Sequence, residues 1–428
     1  MAAEKPDVLV VGGGIIGTAL AWALADRAGA SVTVVDLDLS GIYASSELNA
    51  GGARATWWQP VNIETCRLTL EFFREHAEEF GFRQRGYLWL YSDPALFARA
   101  RQVLGLQNRL GLGVEILEPG ELAERFPIVD RGLEELCGAT FSPRDGLVNP
   151  NAVRAWYRRE AEARGVRFLD RSYAAGVRTE LVAGAAATRR RVAEVEVVHV
   201  RARRGADEDG LLRGILTHHS LPEEVVAGRE WHRPDVVVNC LGAWSALFSA
   251  KIGVPDVTEP VRRQIAMVGV HREDLAPGVE LQELGMIVDA SGLYFHPEGP
   301  HVLAGYSIPE EPPGFDFHYD GDAFFEGEIW PRLAARCSSF ERCGHLRGWA
   351  GLYAVTPDRS GIAGPVRGFA NLFEAHSFTG RGVMQSWGVA RGLAEGIAGS
   401  AAPGIDLAPL ARDRFGDPAR LVPEDLHI

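Results

Sequence analysis

The sequence contains very little lysine. Only two of its 44 lysine and arginine residues are lysines, Lys5 and Lys251, so arginine carries almost all of the positive charge. A genomic base composition that favours arginine codons explains this bias most simply. The consequence for function is that a buried site in this protein has few ammonium groups to draw on.

Cysteine is also scarce, and its spacing does not suit a metal. The five cysteines are an odd number without any Cys-x-x-Cys pair: Cys66, Cys137, Cys240, Cys337 and Cys343. A disulfide framework and a zinc site both need closely matched cysteines. We therefore predict reduced thiols, a reducing compartment and no metal site.

Basic surface and long apolar segments are missing too. The formal net charge is -13 at pH 7, which argues against the concentrated positive patch that nucleic-acid binding requires. No stretch is long and apolar enough to cross a membrane, and the N-terminus lacks the basic and apolar regions of a secretion signal. We expect a cytoplasmic protein, and its 428 residues predict two domains.

A glycine-rich turn near the N-terminus is the strongest local signal. Residues 8–11 are apolar and lead into Gly12-x-Gly14-x-x-Gly17, after which residues 18–27 follow a helical pattern. A strand, a tight turn and a helix in this order place a pyrophosphate at the helix N-terminus. Asp36 follows the next strand about 20 residues on, where a carboxylate accepts hydrogen bonds from a ribose. The motif predicts a dinucleotide but leaves FAD and NAD equally open.

Three later stretches are also suited to binding a polar cofactor. Residues 41–54 are rich in hydroxyls and glycines, which suits either close approach to a polar cofactor or a solvent-exposed linker. Residues 235–245 and 375–385 each run from a strand into a glycine turn and a helix. The helix N-terminus after the turn at 375–385 suits the electron-rich edge of a flavin ring.

The remaining pattern predicts two kinds of sheet. Residues 83–146 form an excursion into a second domain, and three strands at 260–270, 292–296 and 302–306 indicate an antiparallel sheet in the same domain. Strands at 166–169, 192–201 and 235–239 are expected to rejoin the cofactor domain, with Asn151 capping a helix that ends at Arg164. Residues 205–229 are predicted to form an exposed hairpin or loop.

Six blocks, in this order, resemble the D-amino-acid oxidase type of FAD-dependent oxidoreductase. They are Gly12-x-Gly14-x-x-Gly17, Ser45-Ser46-x-x-Asn49-x-Gly51-Gly52-x-Arg54, Val238-Asn239-x-x-Gly242-Ala243-Trp244, Gly292 to Gly299, Gly351-Leu-Tyr-x-x-Thr-Pro-Asp358 and Ser377-Phe-Thr-Gly-Arg-Gly382. The resemblance covers residues 6–412. The sequence is most similar to the branch of the sarcosine oxidase β-subunit and dimethylglycine dehydrogenase, in which Arg263-Gln264 also recurs.

The resemblance implies an α/β fold, α+β overall, with a Rossmann-type FAD-binding domain interleaved with an antiparallel-sheet substrate domain. The implied boundaries are 1–82, 147–258 and 345–412 for the FAD-binding domain, 83–146 and 259–344 for the substrate domain, and 413–428 for a C-terminal tail. The cofactor-binding residues that it implies are Gly12, Gly14, Ile15, Ile16, Gly17, Asp36, Ser45, Ser46, Asn49, Gly51, Gly52, Arg54, Gly242, Trp244, Gly351, Gly380, Arg381, Gly382, Val383, Met384 and Gln385.

The resemblance also implies a reaction. A neutral amine or amino acid loses a hydride from its α-carbon to flavin N5, the resulting imine hydrolyses, and the electrons pass to oxygen or another acceptor. The flavin carries the difficult chemistry, so the protein needs to orient the C–H bond and keep the amine unprotonated.

The sequence departs from the family where flavin is attached covalently. Relatives use a cysteine at the position of Gly351, or a histidine close after the ribose acid, where residues 42–46 contain none. We therefore predict non-covalent FAD.

It departs again where sarcosine-type sites bind the substrate carboxylate. Trp57 stands at the position of the family arginine, and Met384 stands at that of the family lysine. Ser307 replaces the active-site histidine. A buried carboxylate without a partner costs several kcal/mol, so either another arginine serves or the substrate differs.

Six residues are candidates for the catalytic site: Arg54, Tyr353, His376, Arg381, Tyr294 and Trp57. Arg54 matches a family arginine that lies against the flavin, whereas Arg381 stands where relatives often have histidine. A packed or solvated role stays open for His376, as does a core role for each tyrosine and for Trp57, Trp58, Trp349 and Trp387.

The lysine shortage predicts slow reaction with oxygen. Oxidases of this family commonly place a lysine near the flavin to stabilise superoxide, and neither Lys5 nor Lys251 is suitably placed in the sequence. We expect a dehydrogenase unless Arg54, His376 or Arg381 supplies the charge. Two other functions stay open: a flavoprotein that mainly binds or assembles a partner, and a flavin monooxygenase.

Overall fold

The computed structural model describes residues 6–184, 188–201, 206–400 and 404–424. Its strands are β1 (Asp7–Val11), β2 (Ser31–Val35), β3 (Gly52–Ala53), β4 (Tyr87–Tyr91), β5 (Glu115–Leu117), β6 (Gly138–Ser142), β7 (Gly146–Leu147), β8 (Arg167–Leu169), β9 (Ser172–Ala183), β10 (Thr188–Val200), β11 (Val226–His232), β12 (Val236–Asn239), β13 (Glu259–Gly269), β14 (Met286–Val288), β15 (Tyr294–Glu298), β16 (His301–Tyr306), β17 (Gly344–Val355), β18 (Ile362–Pro365) and β19 (Leu372–His376). Its α-helices are α1 (Ile15–Arg27), α2 (Pro60–Glu75), α3 (Ala77–Phe80), α4 (Pro94–Arg109), α5 (Pro119–Arg125), α6 (Pro150–Ala163), α7 (Ala206–His218), α8 (Ser245–Lys251), α9 (Asp322–Phe324), α10 (Trp330–Arg336) and α11 (Gly382–Ile397).

The first sheet has six strands in the order β18-β19-β12-β1-β2-β8. All neighbours are parallel except β18, which runs antiparallel to β19. Residues 8–11 of β1 are buried, as in a parallel sheet with both faces covered. Helix α1 packs against α6 and α11, and Trp22 on α1 lies 4.5 Å from Trp387 and 4.8 Å from Trp156 between ring centroids. This sheet forms the frame for the glycine turn.

The second sheet has eight strands in the order β17-β13-β16-β15-β14-β4-β6-β5. Its neighbours are antiparallel except β14 and β4. Side chains alternate between faces along β4, since Leu88 and Leu90 join one hydrophobic core, whereas Tyr87, Trp89 and Tyr91 join another. The tyrosine face is the one that reaches the candidate site.

A smaller sheet contains one of the predicted strands. The strand predicted at 192–201 is part of β10, which pairs with β9 and β11 in a separate antiparallel sheet, and its assignment to the cofactor domain stays a prediction. The predicted loop at 205–229 is wrong within the described residues. It contains helix α7, which buries Leu212 and Ile215 against Leu37 and Tyr43.

Helix α6 begins two residues earlier than predicted. Asn149, not Asn151, is its N-cap, and the Asn149 side chain accepts hydrogen bonds from the backbone N–H groups of Asn151 and Ala152. Pro150 then occupies the first helical position, where a missing N–H costs nothing.

The end of the chain packs back onto the six-stranded sheet. Arg414 makes a buried ion pair with Asp358 at 2.6 Å, and the buried Glu424 reaches the N-terminus of α2. Strand β17 lies in the eight-stranded sheet, whereas the resemblance implies that residues 345–412 belong to the FAD-binding domain. The domain boundaries stay a prediction.

Across the described part of the chain, no helix has both the length and the apolar character needed to cross a bilayer.

Candidate functional site

A deep cavity runs along the carboxyl ends of β1, β2 and β12, and we call it the dinucleotide cavity. Thirteen of the predicted cofactor residues line it: Gly12, Gly14, Ile15, Ile16, Asp36, Ser45, Ser46, Asn49, Gly242, Trp244, Gly380, Gly382 and Val383. Helix α7 contributes Ile215 and Leu216 to the far side. Because the strands are parallel, their carboxyl ends gather at one edge, which is where open α/β sheets bind nucleotides.

Each glycine of the opening turn has its own steric reason. Gly12 has φ +111°, and a Cβ there would lie 2.5 Å from the carbonyl oxygen of Cys240. A Cβ at Gly17 would collide with the carbonyl of Gly12, so Gly17 serves helix packing and lies outside the cavity lining. A Cβ at Gly14 would meet nothing within 4 Å. Gly14 therefore leaves room for a bound pyrophosphate at the N-terminus of α1.

Asp36 closes the turn from the second strand. Its Oδ2 accepts a hydrogen bond from the Gly13 N–H at 2.5 Å, and its Oδ1 accepts one from the Asp38 N–H at 2.7 Å. Burial raises the pKa of Asp36 to about 6, against the lowering effect of these two hydrogen bonds. The carboxylate lines the cavity where a ribose hydroxyl can donate to it.

The hydroxyl-rich loop is part of the cavity wall and not an exposed linker. Ser45 donates a hydrogen bond to the carbonyl of Leu352 at 2.6 Å, and Asn49 accepts one from the Gly51 N–H at 2.7 Å. The Ser46 hydroxyl is buried and has no hydrogen-bond partner within the described residues. An unsatisfied buried hydroxyl at a cavity wall fits a polar ligand such as FAD.

The turn between β19 and α11 separates the dinucleotide cavity from a second one. Ser377 and Thr379 have φ of 60° and 46°, and Gly380 has φ +81°. A Cβ at Gly380 would lie 2.5 Å from the Tyr353 ring, so this turn needs glycine for both its backbone and its space. Gly382 faces the first cavity, whereas Arg381 lines the second.

We call this second cavity the inner cavity. It shares six lining residues with the dinucleotide cavity: Ser45, Asn49, Leu352, Tyr353, Thr379 and Gly380. The eight-stranded sheet covers it with Tyr87, Arg263, Ile265, Met286 and Tyr294. Gly351 of the same sheet also lines it, and the other wall includes Gly52, Arg54, Trp57, Arg381 and Met384. Within the part of the chain that the structure describes, this lining includes three arginines and no aspartate, glutamate or lysine.

Arg54 is held in place from several sides. Its guanidinium carbon lies 3.5 Å from the ring centroid of Trp57 and 4.6 Å from that of Trp89, and its Nη1 donates to the carbonyl of Thr56 at 2.9 Å. The buried Asp145 accepts hydrogen bonds from Ala55 N–H at 2.7 Å and from the Thr56 hydroxyl. Burial raises the pKa of Asp145 to about 6, while the charge of Arg54 favours its ionised form.

Arg381 is buried without such support. Its side chain is 1% exposed, and none of its three guanidinium nitrogens has a hydrogen-bond partner within the described residues. Its guanidinium carbon lies 4.5 Å from the Trp57 ring centroid, and burial lowers its pKa to about 10. It stays charged at neutral pH and offers several N–H donors to the inner cavity.

The three arginines of the inner cavity all act on Tyr353. Burial raises the pKa of its hydroxyl, and the charges of Arg263, Arg54 and Arg381 all act to lower it. The Arg263 guanidinium carbon is 5.5 Å from the Tyr353 ring centroid. Tyr294 lines the same cavity, and its ring fills the space beside Gly305 on the neighbouring strand.

The other candidates lie outside the inner cavity. His376 borders the dinucleotide cavity and is buried, with Nδ1 2.7 Å from the Ser377 hydroxyl and Nε2 3.3 Å from Glu374. Gln385 donates to Asn62 and Thr65 in helix α2 and, like Gly51, lines neither cavity. The roles of these residues stay predictions.

Among the four tryptophans named as pocket candidates, Trp57 alone lines either of the two cavities. Trp387 packs in the core beside Trp22, and Trp349 donates to the carbonyl of Leu48 at 3.0 Å. Trp58 lies under Arg99, whose guanidinium carbon is 4.2 Å from its ring centroid. These three side chains therefore support the walls.

Among the described residues, no lysine lines the inner cavity. Lys251 lies at the dinucleotide cavity, with Nζ 5.5 Å from the Tyr173 ring centroid, and burial lowers its pKa. Lys5 falls outside the described residues. The charge in the inner cavity comes from arginine.

Sequence reasoning missed two arginines. Arg154 on α6 borders the dinucleotide cavity, donates to the carbonyl of Ser40 at 2.7 Å and pairs with Glu47 at 2.5 Å. Arg263 lines the inner cavity, while its neighbour Arg262 pairs with Glu311 at 2.8 Å. Strand alternation was the available signal, because two consecutive arginines on one strand face opposite sides.

Comparison with known proteins gives the class. A family model described as FAD dependent oxidoreductase, DAO, matches residues 7–396. The chain therefore belongs to the DAO family of FAD-dependent oxidoreductases, and FAD is its cofactor. The family, the mixed α/β fold and the cofactor predicted from the sequence are confirmed.

Curated relatives agree with this assignment. FAD-dependent oxidoreductase domain-containing protein 1 from Bos taurus is 29% identical over 96% of this chain and 85% of the relative. Dimethylglycine dehydrogenase from Rattus norvegicus is 23% identical over 96% of this chain, which matches 45% of that longer protein.

Solved structures share the fold. L-proline dehydrogenase from P. horikoshii has a TM-score of 0.76 at 22% identity and covers 96% of this chain and 98% of that one. Glycine oxidase from Geobacillus kaustophilus has a TM-score of 0.72 at 20% identity, with the same coverage. At these identities the likeness establishes the fold alone.

Proposed function

We propose that this protein oxidises the C–N bond of an amine or amino acid and converts it to an imine. The observation that carries the proposal is the inner cavity, which adjoins the dinucleotide cavity at Tyr353 and Gly380 and is covered by the eight-stranded sheet. Bound FAD supplies the acceptor for the hydride that leaves the α-carbon of the substrate. The residues around the cavity then need to bind the amine, orient it and favour its unprotonated form.

The arginines favour the reactive form of the amine. An amine gives up a hydride from its α-carbon when its nitrogen is unprotonated, and nearby positive charge lowers the pKa of a bound ammonium group. Arg54, Arg263 and Arg381 all line the cavity, with no carboxylate in the lining to stabilise an ammonium ion. The site therefore selects the neutral amine without needing a catalytic base.

The wall also excludes water and fixes orientation. Trp57, Tyr87, Met286 and Tyr294 are buried and give the cavity a largely aromatic and apolar surface. Tyr353 lines both cavities, which supports a role for it in contacting a ligand beside the cofactor. Such a surface holds one C–H bond toward the cofactor and protects the imine from early hydrolysis.

Amine-dependent loss of flavin colour tests the proposal. The FAD-loaded protein is mixed anaerobically with a panel of amines and amino acids, and the flavin absorbance near its visible maximum is followed. Bleaching by at least one member of the panel, with the matching carbonyl product after hydrolysis, is the expected result. A protein that copurifies with a tightly bound partner and is bleached by no amine fits the assembly alternative instead, and rapid bleaching by NADPH alone fits a monooxygenase.

A further inference from the structure

We propose that the substrate of the inner cavity carries two acidic groups, one bound by Arg381 and the other by Arg263. The chemical class is an amino acid with a second carboxylate, either on its side chain or on its nitrogen substituent. This inference rests on the proposed amine oxidation and names the kind of substrate that the cavity accepts.

Arg381 needs an acceptor from outside the chain. A buried guanidinium with three unpartnered nitrogens is costly, because it has lost its water without gaining hydrogen bonds. Glu424 is the acid whose charge most raises the pKa of Arg381. However, the Glu424 carboxylate accepts hydrogen bonds from Trp58 N–H at 2.9 Å, Gln59 N–H at 3.1 Å and Asn62 Nδ2 at 3.1 Å. No described acid lies within ion-pair distance of Arg381, so a carboxylate in the cavity completes its pairing.

Arg263 presents a second position on a different wall. It lies on β13 in the eight-stranded sheet, paired with Gly351 of β17, and it lines the inner cavity. Its Nε is buried without a partner in the described part of the chain, and its Nη1 donates only to the carbonyl of Arg262 at 2.9 Å. Burial lowers the pKa of Arg263, and Glu311, whose charge opposes this shift, is paired with Arg262 at 2.8 Å.

Arg54 does not provide a third such position. Its Nη1 donates to the Thr56 carbonyl, and its plane contacts Trp57 and Trp89. Burial lowers the pKa of Arg54, and the nearby charge of Asp145 opposes this shift. Two of the three arginines therefore lack a protein acceptor for at least one buried nitrogen. Both of them line the inner cavity.

A ligand with two acids satisfies both positions at once. Two guanidinium groups repel each other in a cavity of low dielectric constant, and a dianion replaces this repulsion with two charge-assisted hydrogen-bonded pairs. A ligand with one acid pairs with one arginine and leaves the other unsatisfied. The cavity therefore distinguishes the two classes of ligand by charge.

Titration with carboxylates that cannot be oxidised tests the inference by binding alone. FAD-loaded protein is titrated with propanoate, malonate, succinate and glutarate, and the shift of the visible flavin spectrum gives Kd for each. At least one dicarboxylate is expected to bind at least tenfold more tightly than propanoate. Equal affinities for the mono- and dicarboxylates overturn the inference. This test needs only the unmodified protein.

Two variants assign the residues. Arg381→Met and Arg263→Met are each expected to reduce dicarboxylate affinity to that of propanoate, whereas Arg332→Met, which removes an arginine that lines neither cavity, leaves the preference unchanged. A dicarboxylate preference that survives in both cavity variants overturns the assignment. The visible flavin spectrum and the melting temperature of each variant confirm that it is folded and loaded.

Failure of this inference is distinguishable from failure of the proposed function. If amines with one carboxylate bleach the flavin as readily as those with two, amine oxidation stands and the two-acid inference is overturned. If dicarboxylates bind tightly and no amine bleaches the flavin, the two-anion site stands and amine oxidation is overturned.

Discussion

Glu424 accepts a hydrogen bond from the backbone N–H of Trp58 at 2.9 Å, although 366 positions separate them in the sequence. The same carboxylate accepts from Gln59 N–H and from Asn62, so it occupies the N-terminus of helix α2. Trp57, which lines the inner cavity, directly precedes this turn. The end of the chain thus holds in place a wall of the candidate site.

Replacing Glu424 tests this contact. Glu424→Ala leaves buried donors without an acceptor, and we expect a loss of about 1–3 kcal/mol in the free energy of unfolding. Denaturant unfolding of the FAD-loaded protein measures it. Glu223→Ala, which removes an exposed ion pair with Arg229, is the matched control and changes stability by less than about 1 kcal/mol. Equal stability of the two variants contradicts the buried role of Glu424.

Gly351 is tightly packed against the loop that borders the cofactor. A Cβ there would lie 2.9 Å from the Cβ of Leu48, so Gly351→Ala should displace residues that line both cavities and weaken FAD binding about tenfold. Fluorescence titration of the apoprotein with FAD measures this. Leu48→Gly in the same chain removes the colliding Cβ and should restore most of the affinity, and a double variant as weak as Gly351→Ala argues against this contact as the cause.

The same contact bears on how FAD is held. A cysteine at position 351 would meet Leu48 in the same way, and the chain has glycine there. We expect FAD to be released into the supernatant when the protein is precipitated with acid. Yellow colour that stays with the pellet after washing would show a covalent bond at another residue.

FAD binding should depend on pH through Asp36. Burial raises the pKa of this carboxyl to about 6, so in the apoprotein it is ionised above pH 6 and protonated below. A ribose hydroxyl donates best to the ionised form, so the Kd for FAD should increase as the pH falls, by up to about tenfold per unit below 6. Titration between pH 5 and pH 8 measures the change. Asp36→Asn should bind more weakly at pH 8 and show a flatter profile, and an unchanged slope in this variant would assign the pH dependence to another group.

Reaction with oxygen should be slow. The inner cavity lining includes no lysine, and Lys251 lies at the dinucleotide cavity. We expect the reduced protein to transfer electrons to a dye acceptor much faster than to oxygen, as measured by stopped-flow mixing. Fast reoxidation in air would show that an arginine stabilises superoxide, and Arg381→Met should then slow it.

The features that were predictable from the sequence are those that neighbouring residues determine. The turn from Gly12 to Gly17, the carboxylate of Asp36 and the turn before α11 are each formed by a strand and the residues that follow it. Local spacing is enough to predict such units.

The features that were missed depend on distant pairing. The strand at 192–201 was predictable, whereas its partners β9 and β11 were not, because a strand pattern does not specify its neighbour. The helix at Ala206–His218 was missed because its charged, glycine-containing sequence is typical of a loop, whereas the burial of Leu212 and Ile215 arises from tertiary contacts. Arg263 was missed as a site residue because only the sheet defines which face its side chain occupies.

The first turn of helix α11 contributes Gly382 to the dinucleotide cavity, and Arg381 immediately before it lines the inner cavity. Ligands in the two cavities therefore meet the same short segment of backbone, and binding in one should change affinity in the other. Such coupling is reciprocal: if a carboxylate in the inner cavity binds more tightly when FAD is present, the carboxylate must tighten FAD by the same factor. A cell with abundant substrate would then retain more of this protein in its loaded form.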